Sequence, residues 1–268
     1  SGDQAKTFGG SRAKVERFQS TSFSFVGWNC KRGIASSAVA RQVLGRLIPR
    51  EKIASRSSSL QPHTGLFQTM NPQSYTNVVT AAELKGIGLS DVTGNGKLEW
   101  QSKDFQLRVL LPTGKIPWAE ETISAWRDVA AQRGLVLAVE RLPVPILIDR
   151  LQAGDFDAFA IIWRVRHQEP SFFDLLHSSQ AGAHGRNFMG VQDSRLDSLL
   201  ASLEACNDPL QRQKVRSELA QVTSDLEPLT PLFRHEAFVG IRDDHLRCVI
   251  GVHGLDWPSL SKAAPRSK

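Results

Sequence analysis

The sequence predicts an α/β fold built on a β-α-β-α-β core with flanking helices, and three observations carry that expectation. The apolar runs "FQLRVLL" (105–111), "LVLAVERL" (135–142) and "FDAFAIIW" (156–163) have the length and the branched or aromatic content of buried strands. Between them lie "WAEETISAWRDVAAQR", with Ile123, Trp126 and Val129 or Ala130 on one helical face, and the shorter "VPILIDRLQAG". Pro117 and Pro145 stand in the first turns of these helices and Gly134 and Gly154 follow their last turns, the asymmetry that helix ends favour. Strand, helix, strand, helix, strand with short links predicts a right-handed unit on a parallel sheet, where ligands meet the loops beyond the carboxyl ends of the strands.

Around this unit the elements follow in order. The first 22 residues are polar and rich in Gly and Ser and are expected to form a mobile arm over 1–22. "FSFVGWNC" (23–30) alternates and carries aromatics, as a strand does. Residues 36–48 place Val39, Val43, Leu44 and Leu47 on one helical face, with Ser36 or Ser37 as cap and Pro49 as stop. After a Ser-, Pro- and Gln-rich loop over 54–73, "SYTNVVTAAELKG" is a weaker helix, and the Asn-Gly of "VTGNGKLEW" is a turn leading into a strand. Ser194, with Asp197 three residues on, resembles a capping-box start for a helix burying Leu196, Leu199, Leu200 and Leu203. Asp208-Pro209 starts another, with Val215, Leu219, Val222 and Leu226 at helical spacing. "LTPLFRHEAFVGI" and "LRCVIGVHGL" are expected strands joined at "RDDH", and 261–268 is expected to be a disordered basic tail.

Composition narrows the function classes. With 268 residues, 41% hydrophobic and 22% charged, the chain can bury a full core as one large domain or two small ones. No apolar run reaches the roughly 18 residues of a membrane span, and "SGDQAKTFGG" has no apolar stretch of the signal-peptide kind, so a soluble chain is expected. The net charge of +6 permits anionic partners, but the lysines and arginines are scattered and no nucleic-acid motif appears, so no direct nucleic-acid partner is expected. Cys30, Cys206 and Cys248 cannot all pair and form no C-x-x-C, which leaves buried thiols or one disulfide and a spare.

Catalytic signatures are lacking. There is no G-x-S-x-G elbow, phosphate loop, H-E-x-x-H or glycine fingerprint, and the seven histidines show no ligand spacing, so no enzyme, metal or cofactor is expected. Asp155 and Asp157 read as turn and capping residues, and His235 with Glu236 as an exposed strand edge. The one chemically dense stretch is "WRVRHQEP" (163–170), where Arg164, Arg166, His167 and Glu169 follow Trp163 out of a buried strand.

The order of pieces resembles a known family. "FSFVGWNCKRGIASSAVARQVLGRLIPREKI" is similar to the strand, Asn and Arg-x-Ala helix that open the C-terminal lobe of family 5 extracellular solute-binding proteins. "AAELKGIGLSDVTGNGKLEW", "LPVPILIDRLQAGDFDAFAIIW", "NFMGVQDSRLDSLLASLEACNDPLQRQKV" and "PLTPLFRHEAFVGIR" resemble its later segments in the same order, over about 23–260. The resemblance implies a type II-like periplasmic-binding-protein lobe whose function is non-catalytic binding of a peptide or other small solute for an ABC transporter permease. It implies a monomer that is periplasmic or extracellular-facing. Family members are about twice this length, so the N-terminal lobe of the family is expected to be missing from this chain. The alternative it leaves open is a ligand-sensing or interaction domain of a cytoplasmic regulator that has lost peptide binding.

Peptide-binding members end the strand with "W-x-x-D-x-x-D-P", the first aspartate neutralising the ligand's ammonium. Here Trp163 and Glu169-Pro170 match, but Arg166 holds the aspartate position, and a guanidinium favours carboxylate or phosphate over ammonium. Two alternatives follow: a pocket re-tuned for an anionic or uncharged ligand, or arginines that face solvent or another protein surface. The ligand-binding residues implied are Trp163, Arg164, Arg166, His167, Glu169, Asn187, Phe188, Trp28 and Asn29.

Overall fold

A computed structural model describes residues 14–63, 65–67, 78–164, 171–241, 246–251 and 254–262. In chain order it runs β1 (Lys14–Trp28), a 3-10 turn (Ile34–Ser36), α1 (Ala38–Arg46), α2 (Arg50–Ala54), β2 (Leu60–Pro62), α3 (Ala81–Gly86), β3 (Glu99–Trp100), β4 (Lys103–Asp104) and β5 (Gln106–Pro112). Then follow α4 (Pro117–Ala131), β6 (Val136–Leu142), α5 (Val144–Gln152), β7 (Ala158–Trp163), α6 (Phe173–Leu176), α7 (Ser194–Ala205), α8 (Pro209–Leu226), β8 (Leu229–Ile241), β9 (Leu246–Gly251) and β10 (Gly254–Lys262).

The strand-helix-strand-helix-strand unit is as expected. Strand β5 pairs in parallel with both β6 and β7, and in such a buried strand Leu107, Val109, Leu110 and Leu111 all lose their exposure. Less legible is the rest of the sheet, ordered β2-β8-β1-β7-β5-β6, in which β1 pairs antiparallel with β7 on one side and β8 on the other. The pleat sends alternate side chains of β1 to opposite faces. Val26 and Trp28 join a core with residues of α1, α2, α3 and α4, while Phe23 and Phe25 join a second core with residues of α5, α6, α7 and α8. The result is one mixed sheet between two helical layers.

Helix ends follow local chemistry. Ser37 caps α1 by accepting from Ala40 N, Asp208 caps α8 by accepting from Gln211 N, and Gly134 (φ 76) takes the left-handed turn after α4. At α7 the cap is Asp193, which accepts from Leu196 N, and Asp197 is drawn away to Ser178 N at 2.9 Å. An earlier oxygen therefore displaces Ser194 from the expected capping role. Val39 is 59% exposed, because α1 buries Ala40, Val43 and Leu44 and turns its second residue outward. Strand β1 begins at Lys14, so the expected arm is a strand from there on, and residues 1–13 lie outside the described residues. Ser261 and Lys262 belong to β10, with 263–268 outside the described residues.

Beyond the sheet, β1 and β8 stay paired. Lys14–Gln19 run against Glu236–Ile241, the register shifts between Gln19 and Phe23, and only then does β1 enter the six-stranded sheet. Strands β9 and β10 pair with each other in a separate sheet and lie against this ribbon.

Packing inside the sheet leaves one position without room. A Cβ on Gly27 would sit 2.3 Å from Cζ of Phe159, its partner across β7. Gly27→Ala should therefore destabilise the fold by about 1–3 kcal/mol, and a second change, Phe159→Leu, should recover part of the loss in urea unfolding.

Candidate functional site

The carboxyl ends of β5, β6 and β7 share one edge of the sheet, and the β1–β8 ribbon leaves the sheet at the same edge. Register defines a row there: Trp163 on β7 lies opposite Phe23 on β1, Phe23 opposite Arg234 on β8, and Arg234 opposite Gln61 on β2. Directly paired residues of antiparallel strands share a face, so Trp163, Phe23 and Arg234 form a strip. Phe23 meets Phe172 edge-on at 5.8 Å and His63 at 5.2 Å. Phe172 is held at φ 60, a left-handed backbone that bulky residues seldom adopt, while its ring stays buried against Phe23 and Phe67.

Electrostatics here are set by burial. The imidazole of His63 is pushed down to about 3 by its surroundings, with Arg234 and Arg50 adding to the effect, so His63 is neutral. Burial likewise takes His235 down to about 4. His235 is no sheet edge: β2 covers β8, Leu60 pairs with His235, and the imidazole meets Trp118 edge-on at 5.8 Å. Glu236 accepts from Gln61 at 3.4 Å. Arg164, immediately after Trp163, is exposed. Further apolar groups lie in the first turn of α5, just after β6, where Val144 and Ile146 are 56% and 49% exposed.

The opposite edge is saturated with structural contacts. Trp28 pairs with Ala158, the first residue of β7, about 17 Å along the strand from Trp163. It is fully buried, and its indole Nε1 donates to Thr230 Oγ1 at 2.9 Å. Asn29 Nδ2 donates to the carbonyls of Gly154 (3.0 Å) and Phe156 (2.9 Å), and Oδ1 accepts from Lys31 N (3.1 Å), which pins the turn between α5 and β7. Asn187 Nδ2 is directed at the carbonyls of Leu176, His177 and Val191, and Oδ1 accepts from Gly190 N at 3.0 Å. Phe188 rests edge-on against Phe159 at 6.3 Å. The loop after Asn187 is tied to this edge by Cys30 N donating to Met189 O at 2.9 Å. Asp155 and Asp157 are here too, in ion pairs rather than a reactive pair: Arg108 reaches Asp155 at 3.1 Å and Asp157 at 3.6 Å, and Arg150 reaches Asp155 at 2.7 Å.

The nine candidate residues therefore divide. Trp163 and Arg164 stand at the open edge; Trp28, Asn29, Asn187 and Phe188 organise the far one; Arg166, His167 and Glu169 lie outside the described residues. Phe23, His63, Phe172 and Arg234 were not among the candidates. Strand register brings Phe23 and Arg234 into the row of Trp163, and ring contacts with Phe23 place His63 and Phe172 beside that row, which no motif spacing encodes. Among the described residues there is no cluster of three or more His, Cys, Asp or Glu that could hold a metal, and no helix long and apolar enough to cross a membrane.

Comparison with known proteins gives the architecture its kin. No protein-family model matches the chain. The oligopeptide-binding protein AppA of Bacillus subtilis (strain 168) is 22% identical over 226 residues, which are 79% of this chain and 41% of that protein. The solved structure of AppA with a nonapeptide matches with a TM-score of 0.81 at 18% identity, covering 98% of this chain and 55% of the other. NikZ from Campylobacter jejuni with Ni(L-His) gives 0.77 at 18% identity, covering 97% and 56%, and HbpA2 from Haemophilus parasuis gives 0.77 at 17%, covering 98% and 52%. This chain thus has the fold of one part of the solute-binding proteins, as its motif order implies, and spans about half the length of the relatives it matches.

Two outcomes follow from these environments. Asn187→Ala strips partners from four main-chain groups, three of them buried, and should cost about 2–3 kcal/mol in urea unfolding, as should Asn29→Ala. The folded-state pKa of His63 lies below its ordinary value of 6.5, so its contribution to stability is present above that pH and is lost as pH falls toward about 3. Unfolding midpoints of His63→Phe should accordingly fall less steeply than those of the wild type on acidification.

Proposed function

We propose that this chain is one lobe of a solute-binding protein. It holds a peptide-like or other small solute, without catalysis, against the open edge of its sheet while a second lobe completes the cleft. An ABC transporter permease receives the solute, on the periplasmic or extracellular-facing side of the membrane. The observation that carries this reading is the coincidence, at one edge, of the carboxyl ends of β5, β6 and β7 with the exit of the paired β1–β8 ribbon. A two-stranded ribbon is narrow, and bending it moves what lies beyond as a rigid body, so ligand binding shifts an open-closed equilibrium. The fold shared with AppA bound to a nonapeptide and NikZ bound to Ni(L-His) supports the same reading.

Within it, Trp163 supplies apolar contact and Arg164 and Arg166 favour a carboxylate or another anion, with His167 and Glu169 on the same segment. Arg166 stands where the peptide-binding pattern has an aspartate, so capture of a free ammonium is weakened. Trp28, Asn29, Asn187 and Phe188 act as scaffold.

Calorimetric titration tests the division of labour between lobes. A single lobe encloses only one side of a ligand, so di- to pentapeptides should bind this chain alone no tighter than about millimolar, roughly 4 kcal/mol. The natural full-length protein should bind its solute far more tightly, be indifferent to N-acetylation of a peptide or prefer it, and reverse that preference on Arg166→Asp. Micromolar binding by the isolated chain would mean that the site is complete in one lobe.

A further inference from the structure

At the root of β8 a buried polar network joins four segments of the chain. Glu227, between α8 and β8, is 5% exposed and takes a left-handed backbone (φ 41). Its Oε1 accepts from Thr230 Oγ1 at 2.8 Å, and that hydroxyl oxygen in turn accepts from the indole of Trp28 on β1. Two arginines, both buried, close the site: Arg41 from α1 and Arg50 from α2. The donors of Arg41 are engaged by the main chain. Arg41 Nε reaches Glu227 O at 2.9 Å, its Nη1 reaches Ala35 O at 2.7 Å and Ser36 O at 2.9 Å, and its Nη2 reaches Leu226 O. Arg50 Nη1 donates to Pro231 O at 2.8 Å. Helix α1 comes this close because Gly45 faces Thr230, where a Cβ would be 2.5 Å from Oγ1.

The Glu227 carboxyl therefore feels two guanidinium charges through space, while the hydrogen bond it accepts among the described residues comes from a neutral hydroxyl. Burial acts against the charged form, and the Thr230 bond, Arg50 and Arg41 act for it; burial prevails and pushes the group up to about 7. Cys30, beside Arg41, is pushed up to about 11 by burial, so its thiol supplies no negative charge to the network.

We propose that Glu227 is a proton-responsive latch, in which gain or loss of one proton on its carboxyl changes how firmly the root of β8 is held to α1, α2 and β1. The folded lobe binds this proton more tightly than the unfolded chain does. The latch's contribution to stability is therefore fully present below the ordinary carboxyl value of 4.5 and is lost as pH rises through about 7. His63 and His235, both held neutral by burial, change stability in the opposite sense as pH rises toward 6.5, so the latch is read as a difference between variants rather than from the wild type alone.

The whole chain, labelled with carbon-13 at the glutamate carboxyls, would be titrated by NMR, the Glu227 signal being the one lost in Glu227→Gln. Its midpoint should lie near neutrality, and the Trp28 indole N–H, connected through Thr230, should shift with the same midpoint and be flat in the variant. In urea, the unfolding midpoint of Glu227→Gln relative to wild type should move in the variant's favour between about pH 5 and about pH 7.5. A carboxyl midpoint in the ordinary range, or a stability difference that stays flat across this window, overturns the latch. Should Glu227→Gln fail to fold, the signal is recognised instead by Thr230→Val, which removes the hydroxyl bond that favours the charged form and should move one glutamate carboxyl midpoint from near neutrality to a higher pH; no such carboxyl, or an unmoved midpoint, overturns the proposal as well.

Discussion

The sheet depends on where the first strand lies. Strand β1 is inserted antiparallel between β7 and β8, so Phe23 faces Trp163 on one side and Arg234 on the other. Remove that strand and the parallel β7-β5-β6 unit shares no hydrogen-bonded ladder with β8 and β2. Its register is over-determined. A slip of one residue would send Phe23 and Phe25 into the core of α1–α4 and Val26 and Trp28 into the core of α5–α8, mismatching side-chain volumes in two packed layers. The bonds from Trp28 to Thr230 and from Asn29 to Gly154 and Phe156 hold the same register from the polar side.

Once β1 is placed, the two edges of the sheet take different roles. At the far edge the polar groups are consumed internally: Asn29 and Asn187 bond main-chain atoms, and Asp155 is shared by Arg32, Arg108 and Arg150. Those ion pairs are largely solvent-exposed and individually contribute little, about 1 kcal/mol or less. At the other edge Val144 and Ile146 leave apolar surface exposed at the start of α5, Trp163 is half-buried beside the buried Phe23, and Arg164 is exposed. The proposed solute site draws on that exposed apolar and cationic surface.

How much of this could be read in advance follows from the range of the interactions. The β5-α4-β6-α5-β7 unit was legible because each element declares itself locally, by a run such as "FQLRVLL" or by Pro117 before and Gly134 after a helix. The Asp208 cap and the buried faces of α7 and α8 were legible for the same reason. Lys14–Gln19 looked like an arm because their partners lie on β8, more than two hundred residues away, and the run "KVERFQ" carries no apolar alternation of its own. The candidate site was half legible. The motif order pointed to Trp163 and Arg164, but it gathered Trp28, Asn29, Asn187 and Phe188 with them, because residues that recur near a site in sequence include those that build its frame. Phe23 and Arg234 join the row of Trp163 by strand pairing, and His63 and Phe172 follow through ring contacts with Phe23, none of which leaves a trace in spacing.

The two strands that form the ribbon are rooted at one place. At the far edge, β1 ends in Trp28 with Asn29 directly after it, β8 begins just after Glu227, and the indole of Trp28 meets the hydroxyl of Thr230 between them. From that joint the strands run side by side through the sheet to the row of Phe23 and Arg234, where the pairing shifts before the ribbon continues. Bending at the shift therefore leaves the root undisturbed only if the root is stiffer than the ribbon. The buried arginines and the bonds of Thr230 provide that stiffness, and Glu227 is the one member of the joint whose charge is open to adjustment. In a lobe whose proposed work is to close on a solute by flexing two strands, the polar network beneath them serves as the clamp against which the flexing occurs.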